Sequence, residues 1–315
     1  MHRSAAFIPT ALRVADTVSP ALAGAIAYRL FFRTRPRLPL RDRDRATDLA
    51  ARRELLRVRG RDIVTYRWGE GDRTVLLVHG WKGRAMQFAP LVRELAAEGL
   101  RVVSFDAPAH GASPGRSTDI RDWMAAIEGM QDRFGPFAAI VGHSVGAVAG
   151  LAAARTSAPT PVVVTISGAA GPTAMIDRFA LMFGLSEEAR VELGRRFAAR
   201  IGESTASVAE RFDSAAHPLP ERTSLLVVHG RDDRGLPDAD SARLHRAHAG
   251  RSRMLRPTGL GHNRILTDDD VLDAVVEIVT RGEHTASPSA AGVARAGGDR
   301  ANRRTAAEES ILPIG

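Results

Sequence analysis

The chain changes its hydrophobic rhythm twice. Residues 5–33 predict one or two helices punctuated by Pro9 and Pro20, with Leu22, Ile26 and Leu30 recurring every four residues beside Phe31 and Phe32. Residues 33–39 then read as an extended, Arg- and Pro-rich linker, and residues 41–53 as a charged stretch with little to bury. From residue 54 strand-like and helix-like patterns alternate. Residues 55–59 and 63–68 predict a hairpin around Gly60-Arg61-Asp62. Residues 74–78 are a continuous apolar run, as a strand buried on both faces should be. Helices over 87–98, 119–134 and 145–155 alternate with strands over 101–105, 137–141 and 161–167. Residues 172–220 interrupt that order with helical patterning only: Met175, Phe179, Met182 and Phe183, then Val191, Phe197 and Ile201. Residues 225–229 resume as a strand, followed by a helix over 239–249, the apolar pair Met254-Leu255 and a last helix over 268–280.

This alternation implies an α/β fold, a mostly parallel sheet with helices on both faces. The expected organisation is a basic N-terminal arm with an apolar helix (residues 1–53), an α/β domain (54–284) carrying a helical insertion over about 172–220, and a disordered tail (285–315) rich in Ala, Ser, Gly and Arg. No internal repeat is visible.

Composition narrows the classes. With 315 residues, 44% hydrophobic and 25% charged, the chain is globular and long enough for a sizeable core. It has no cysteine, which excludes a disulfide scaffold, a cysteine nucleophile and a thiolate metal site. The net charge of +8 at first suggests an anionic partner. It is unevenly spread: residues 1–61 hold 14 Arg against 5 acids, whereas residues 62–280 hold 25 basic and 27 acidic residues. Only Lys82 is a lysine. Because the body is not basic and the basic run lacks interleaved aromatics, nucleic-acid binding is not expected. The longest apolar stretch, residues 18–32, is broken by Pro20 and Arg29 and falls short of the roughly 18 residues a spanning helix needs. Arg13 and Asp16 before it, and the lack of a small-residue cleavage site, argue against a signal peptide. The expectation is a cytoplasmic protein. Residues 5–33 would contact a membrane surface peripherally, associate with a second copy, or pack on the protein's own body.

Chemistry concentrates at Gly142-His143-Ser144-Val145-Gly146, a G-x-S-x-G between a buried strand and a helix. A nucleophile on so sharp a turn needs strained backbone, and small neighbours let strand and helix approach. The duller reading is a tight turn with an idle serine. A serine needs a base, and the base an orienting acid, in the chain order Ser, Asp or Glu, His. Asp232 and Asp233 follow the strand at 225–229; Asp233 is preferred, although either could simply cap the next helix. Of ten histidines, His262 stands in a Gly-bounded loop after the last strand and has the best claim to be the base. An oxyanion hole needs two backbone N–H groups. Val145 would supply one, and Trp81, in His79-Gly80-Trp81-Lys82-Gly83, the other.

Taken together, His79-Gly80-Trp81, residues 105–113 (Phe-Asp-Ala-Pro-Ala-His-Gly-Ala-Ser), Gly142-His143-Ser144-Val145-Gly146, Gly230-Arg231-Asp232-Asp233 and Gly261-His262 resemble the α/β-hydrolase superfamily over about residues 62–280. His110 stands where that family often has Gly. The resemblance implies a sheet of eight strands, a Ser144-His262-Asp233 triad with Asp233 at the family's usual acid position, and a cap formed by the insertion. The implied activity is that of a serine hydrolase, carboxylesterase-like, acting on a small-molecule acyl substrate without metal or organic cofactor. Amide, thioester or lactone hydrolysis, acyl transfer and cofactorless peroxidation use related sites. Epoxide and dehalogenase chemistry is disfavoured, because it requires a carboxylate where Ser144 stands. A non-catalytic binding protein on this fold would usually lack a triad residue, and the full set is available here.

Overall fold

A computed structural model describes residues 3–282, and for residues 3–8 the backbone alone. The expected tail at 285–315 lies outside the described residues. In chain order the elements are α1 (Arg3–Val18), α2 (Pro20–Phe31), α3 (Arg45–Leu49), β1 (Arg52–Val58), β2 (Arg61–Trp68), β3 (Thr74–Val78), α4 (Ala89–Ala97), β4 (Arg101–Phe105), α5 (Ile120–Phe134), β5 (Phe137–His143), α6 (Val145–Arg155) and β6 (Val162–Ile166). They continue with α7 (Pro172–Phe183), α8 (Glu187–Ile201), α9 (Thr205–Phe212), β7 (Ser224–Val228), α10 (Ala239–Ala247), β8 (Ser252–Leu255), α11 (Gly261–Arg264) and α12 (Asp269–Arg281).

The strands form one eight-stranded sheet in the order β1-β2-β4-β3-β5-β6-β7-β8. From β4 to β8 every pairing is parallel, and β2 runs antiparallel to both neighbours. β3 and β6 are buried at every position, the signature of strands covered on both faces. Two apolar cores result. One places Trp123, Ile127 and Met130 of α5 and Val148, Leu151 and Ala152 of α6 against one face; the other places Leu91 and Leu95 of α4 and Val275, Ile278 and Val279 of α12 against the opposite face.

The β1–β2 hairpin turns on Arg59-Gly60, one residue earlier than the sequence suggested, with Val58 paired to Arg61. A two-residue turn of type I′ needs positive φ at both central residues, and Arg59 and Gly60 have φ of 45° and 79°. What makes an arginine acceptable there is α5: Arg59 and Arg61 place guanidinium nitrogens 2.8 and 2.6 Å from the fully buried Asp122 carboxylate. The charged stretch before β1 also buries more than expected. Thr47 and Asp44 are almost inaccessible, and the Thr47 carbonyl accepts from the Trp68 indole at 2.7 Å.

The arm folds back over the molecule. Ala23, Gly24 and Ala27 form the buried face of α2, which packs along α8. At Gly24 a Cβ would stand 2.6 Å from the Glu192 side chain, so this helix pair is closer than any larger residue would allow. Tyr28, Phe31 and Phe32 join the core beneath α7 and α8, Phe31 edge-on to Phe179 at 5.3 Å and Phe32 stacked on Phe197 at 5.7 Å. Of the partners considered for residues 5–33, the inner face of α2 is occupied by the protein's own helix α8. Among the described residues no helix is long and apolar enough to cross a membrane.

Candidate active site

The strand order places the site. The sequence order reverses between β4-β3 and β3-β5, so the loops leaving the carboxyl ends of β3 and β5 lie side by side, where open parallel sheets hold their ligands. Those loops carry Trp81 and Ser144. The segments after β7 and β8 carry Asp233 and His262.

Ser144 has φ 55° and ψ −123°, a left-handed conformation that costs a residue with a Cβ of order 1–3 kcal/mol. The turn is enforced by its neighbours. A Cβ on Gly146 would lie 2.2 Å from the Val78 carbonyl oxygen, and one on Gly142 2.5 Å from the Ala147 Cα. Only glycines let α6 leave β5 so close to β3. Val145 opens α6, so its N–H has no partner within the helix and is free for an incoming oxyanion.

His262 lies in the short helix α11 and not in an open loop. Its Nδ1–H donates to Asp233 Oδ2 at 2.7 Å, which leaves Nε2 as the basic nitrogen. The neighbouring Asp232 carboxylate instead accepts from the Gly259 amide and ties down the loop that carries His262. Burial pushes the Asp233 carboxyl up, but hydrogen bonds from His229 and His262, the charge on His262 and the Leu236 amide outweigh it. The group is held well below the usual carboxylate range and stays ionised. Asp233 Oδ1 also accepts from the Gly235 and Leu236 amides at 2.7 and 3.0 Å, which fixes the carboxylate's orientation.

Ser144, Val145, Trp81 and His262 line one cavity of about 440 Å³. No Ser144–His262 hydrogen bond forms among the described contacts; such bonds tighten when substrate binds. Trp81 stacks on Trp123 at 5.5 Å, and its indole donates to the Arg33 carbonyl at 3.0 Å. Most of the remaining wall is apolar, with Met175, Phe179 and Met182 from α7, Phe197 from α8, and Leu30, Phe31 and Phe32 from the arm. The arm's contribution was not anticipated. The spacing of Leu22, Ile26 and Leu30 showed a helix with a face to bury but not where that face would go.

Three further histidines hold the site from behind. His79 Nδ1 donates to the Gly80 carbonyl at 2.7 Å and Nε2 accepts from the Ala107 amide at 2.9 Å, a pairing only the neutral ring can make. His143 Nε2 donates to the His262 carbonyl at 2.9 Å. Burial pushes the His79, His110 and His143 imidazoles down to about 4, 3 and 3, helped at His110 by His79 and at His143 by His262. The unfolded chain protonates all three below about pH 6.5, whereas the folded chain resists until pH is far lower. Stability is therefore full above that pH and falls as pH drops, by up to roughly 4 kcal/mol per pH unit if all three protons are taken up on unfolding. Melting temperature measured from about pH 7 to pH 5 should fall steeply; a flat profile would mean that these rings are charged in the fold.

Asp106, also buried, accepts from the Ala85 and Ala112 amides at 2.7 Å each and from the Tyr66 hydroxyl at 2.8 Å. It thereby joins the loops after β3 and β4 beneath the Trp81 segment. Among the described residues no group of three or more His, Asp or Glu is arranged to hold a metal ion.

The model of the alpha/beta hydrolase family matches residues 75–278. The chain belongs to this family. Among solved structures it is similar to a Pyrococcus furiosus esterase (17% identity, TM-score 0.57, covering 80% of this chain and 98% of that one). It is also similar to a Paleococcus ferrophilus monoacylglycerol lipase (22%, 0.52, 70% and 99%) and to a thermophilic esterase from Thermogutta terrifontis (18%, 0.55, 74% and 100%). At these identities the likeness speaks for the fold alone. No curated protein matches the chain by sequence. For an alpha/beta hydrolase, the elements placed here follow the expected order, and the arm that completes the cavity precedes the matched residues.

Proposed function

We propose that this alpha/beta hydrolase cleaves small acyl esters through an acyl-enzyme on Ser144. The observation that carries this reading is the strained Ser144 sharing one cavity with His262, whose Nδ1 is bonded to Asp233 at 2.7 Å. His262 Nε2 takes the Ser144 proton as Oγ attacks the acyl carbon, and Asp233 stabilises the imidazolium. The Val145 and Trp81 amides receive the oxyanion. His262 returns the proton to the leaving group and then activates water, which releases the carboxylic acid. The esterase and lipase neighbours are consistent with ester substrates, and the cavity falls within the range of small-molecule sites. Its apolar wall suits an unbranched or modestly branched acyl chain.

The test is fluorophosphonate labelling of the purified protein with the modified peptide located by mass spectrometry, alongside p-nitrophenyl esters of increasing chain length. Labelling at Ser144 with ester turnover is the expected result. An unlabelled protein that turns over none of the esters would refute the reading.

A further inference from the structure

The cavity wall holds two charges, Lys82 and Arg178, and no carboxylate. Lys82 is the chain's one lysine and sits one residue beyond the proposed oxyanion donor Trp81. Its side chain is half-buried, and burial together with the neighbouring Arg33 pushes its ammonium down. No acid lies within ion-pairing distance of Lys82, Arg33 or Arg35 among the described residues, whereas most acids of the α8 surface and the β1–β2 hairpin are paired.

The backbone that carries these cations is tied to the site. The Arg33 carbonyl accepts from the Trp81 indole at 3.0 Å, and the Leu38 amide donates to the Lys82 carbonyl at 2.8 Å. Arg37 fastens the linker from the other side, donating to the Gly111, Ser113 and Gly115 carbonyls at 2.9–3.1 Å. Arg33, Arg35, Pro36 and Arg37 line an open hollow of their own, and Arg37 is the member already spent on carbonyls. Arg178, also in the cavity wall, is anchored by the Arg234 and Gly235 carbonyls and has no ion pair among the described residues. A half-buried ammonium that stays unpaired beside a second cation is a cost, and an anionic ligand would remove it.

We propose that the substrate is amphiphilic: an acyl ester or thioester whose chain fills the apolar wall and whose leaving group carries a phosphate read by Lys82, Arg33 and Arg35. The inference rests on the serine-hydrolase reading. In the reaction the Ser144 Oγ–acyl bond forms and the acyl C–O or C–S bond breaks. The Ser144 proton passes through His262 to the departing alcohol or thiol, and water then converts the acyl-enzyme to a carboxylic acid.

Two matched pairs test it. Octanoyl-coenzyme A is compared with the octanoyl thioester of N-acetylcysteamine, and 1-octanoyl-glycerol-3-phosphate with 1-octanoylglycerol. The expected result is that kcat/KM favours the phosphate member of at least one pair by about tenfold or more, and the pair that shows it identifies a nucleotide-linked thiol or a glycerophosphate as the source. That preference should weaken at high salt and collapse toward unity in Lys82→Gln/Arg33→Gln. Ratios within about twofold in both pairs of the wild type, or a ratio that survives both salt and the double variant, would overturn the proposal. Turnover of p-nitrophenyl octanoate with none of the four substrates accepted would overturn it and leave the hydrolase reading standing. No turnover of any ester and no fluorophosphonate labelling would instead remove the reading beneath it.

Discussion

Ser144→Ala is expected to lower kcat for a p-nitrophenyl ester by about 10⁶ and to abolish fluorophosphonate labelling. The size follows from what is lost: without Oγ there is no acyl-enzyme, and His262 has no proton to accept. Activity should not reach zero, because positioned amides and the apolar wall still bind the transition state of direct water attack. A residual rate of roughly 10³–10⁴ over water is usual for such sites. The fold should tolerate the change, since alanine at φ 55° carries the same backbone strain as serine and no described hydrogen bond of the Ser144 side chain is broken. An unchanged melting temperature with lost turnover is the expected pair of observations. A variant that keeps more than about one hundredth of wild-type kcat would place the nucleophile elsewhere.

Asp233→Asn should cost about 10⁴ in kcat. In the native site Oδ2 accepts from His262 Nδ1–H at 2.7 Å, which keeps Nε2 free to act as base. An asparagine NH₂ at that position would donate to Nδ1 and move the imidazole proton to Nε2, the tautomer that cannot take a proton from serine. Oδ1 would still accept from the Gly235 and Leu236 amides, so the loop should keep its shape. Asp232→Asn is the comparison: among the described residues the Asp232 side chain bonds the Gly259 amide and not His262, so the variant should lose less than about tenfold. A larger loss at Asp232 than at Asp233 would reverse the assignment. Since Asp233 remains ionised well below the usual carboxylate range, the wild-type pH profile of kcat/KM should show no separate carboxylate step.

What could be read from the amino acids divides by distance along the chain. The elbow was legible because everything it needs is local: an apolar strand, Gly142, Ser144, Gly146 and a small-residue helix stand within a few turns of each other. The same holds for β3, whose continuous apolar run has one meaning in an α/β chain. Neighbouring alternatives were harder. Asp232 and Asp233 differ by one position, and only the direction of each side chain shows that one meets His262 while the other holds Gly259. The hairpin slipped by a residue because Arg59 lacks the small side chain that usually marks a left-handed turn. Its conformation is supported from a distance by Asp122 on α5. The arm was the least legible part. Leu30, Phe31 and Phe32 announce a buried face, but its complement on α7 and α8 lies some 150 residues later, and no local pattern names it.

That docking of α2 on α8 separates two kinds of change the protein can undergo. Ser144, His262 and Asp233 lie on segments that leave the central sheet, whereas Leu30, Phe31 and Phe32 of the cavity wall, together with Arg33 and Arg35, belong to a segment that the family pattern does not include. Drift in this one peripheral helix and its linker can therefore retune which molecules are accepted while the reacting groups stay untouched. For the same reason, relatives aligned over the sheet alone carry little information about preference. Two chains matching throughout residues 75–278 could favour unlike substrates if their first forty residues differed.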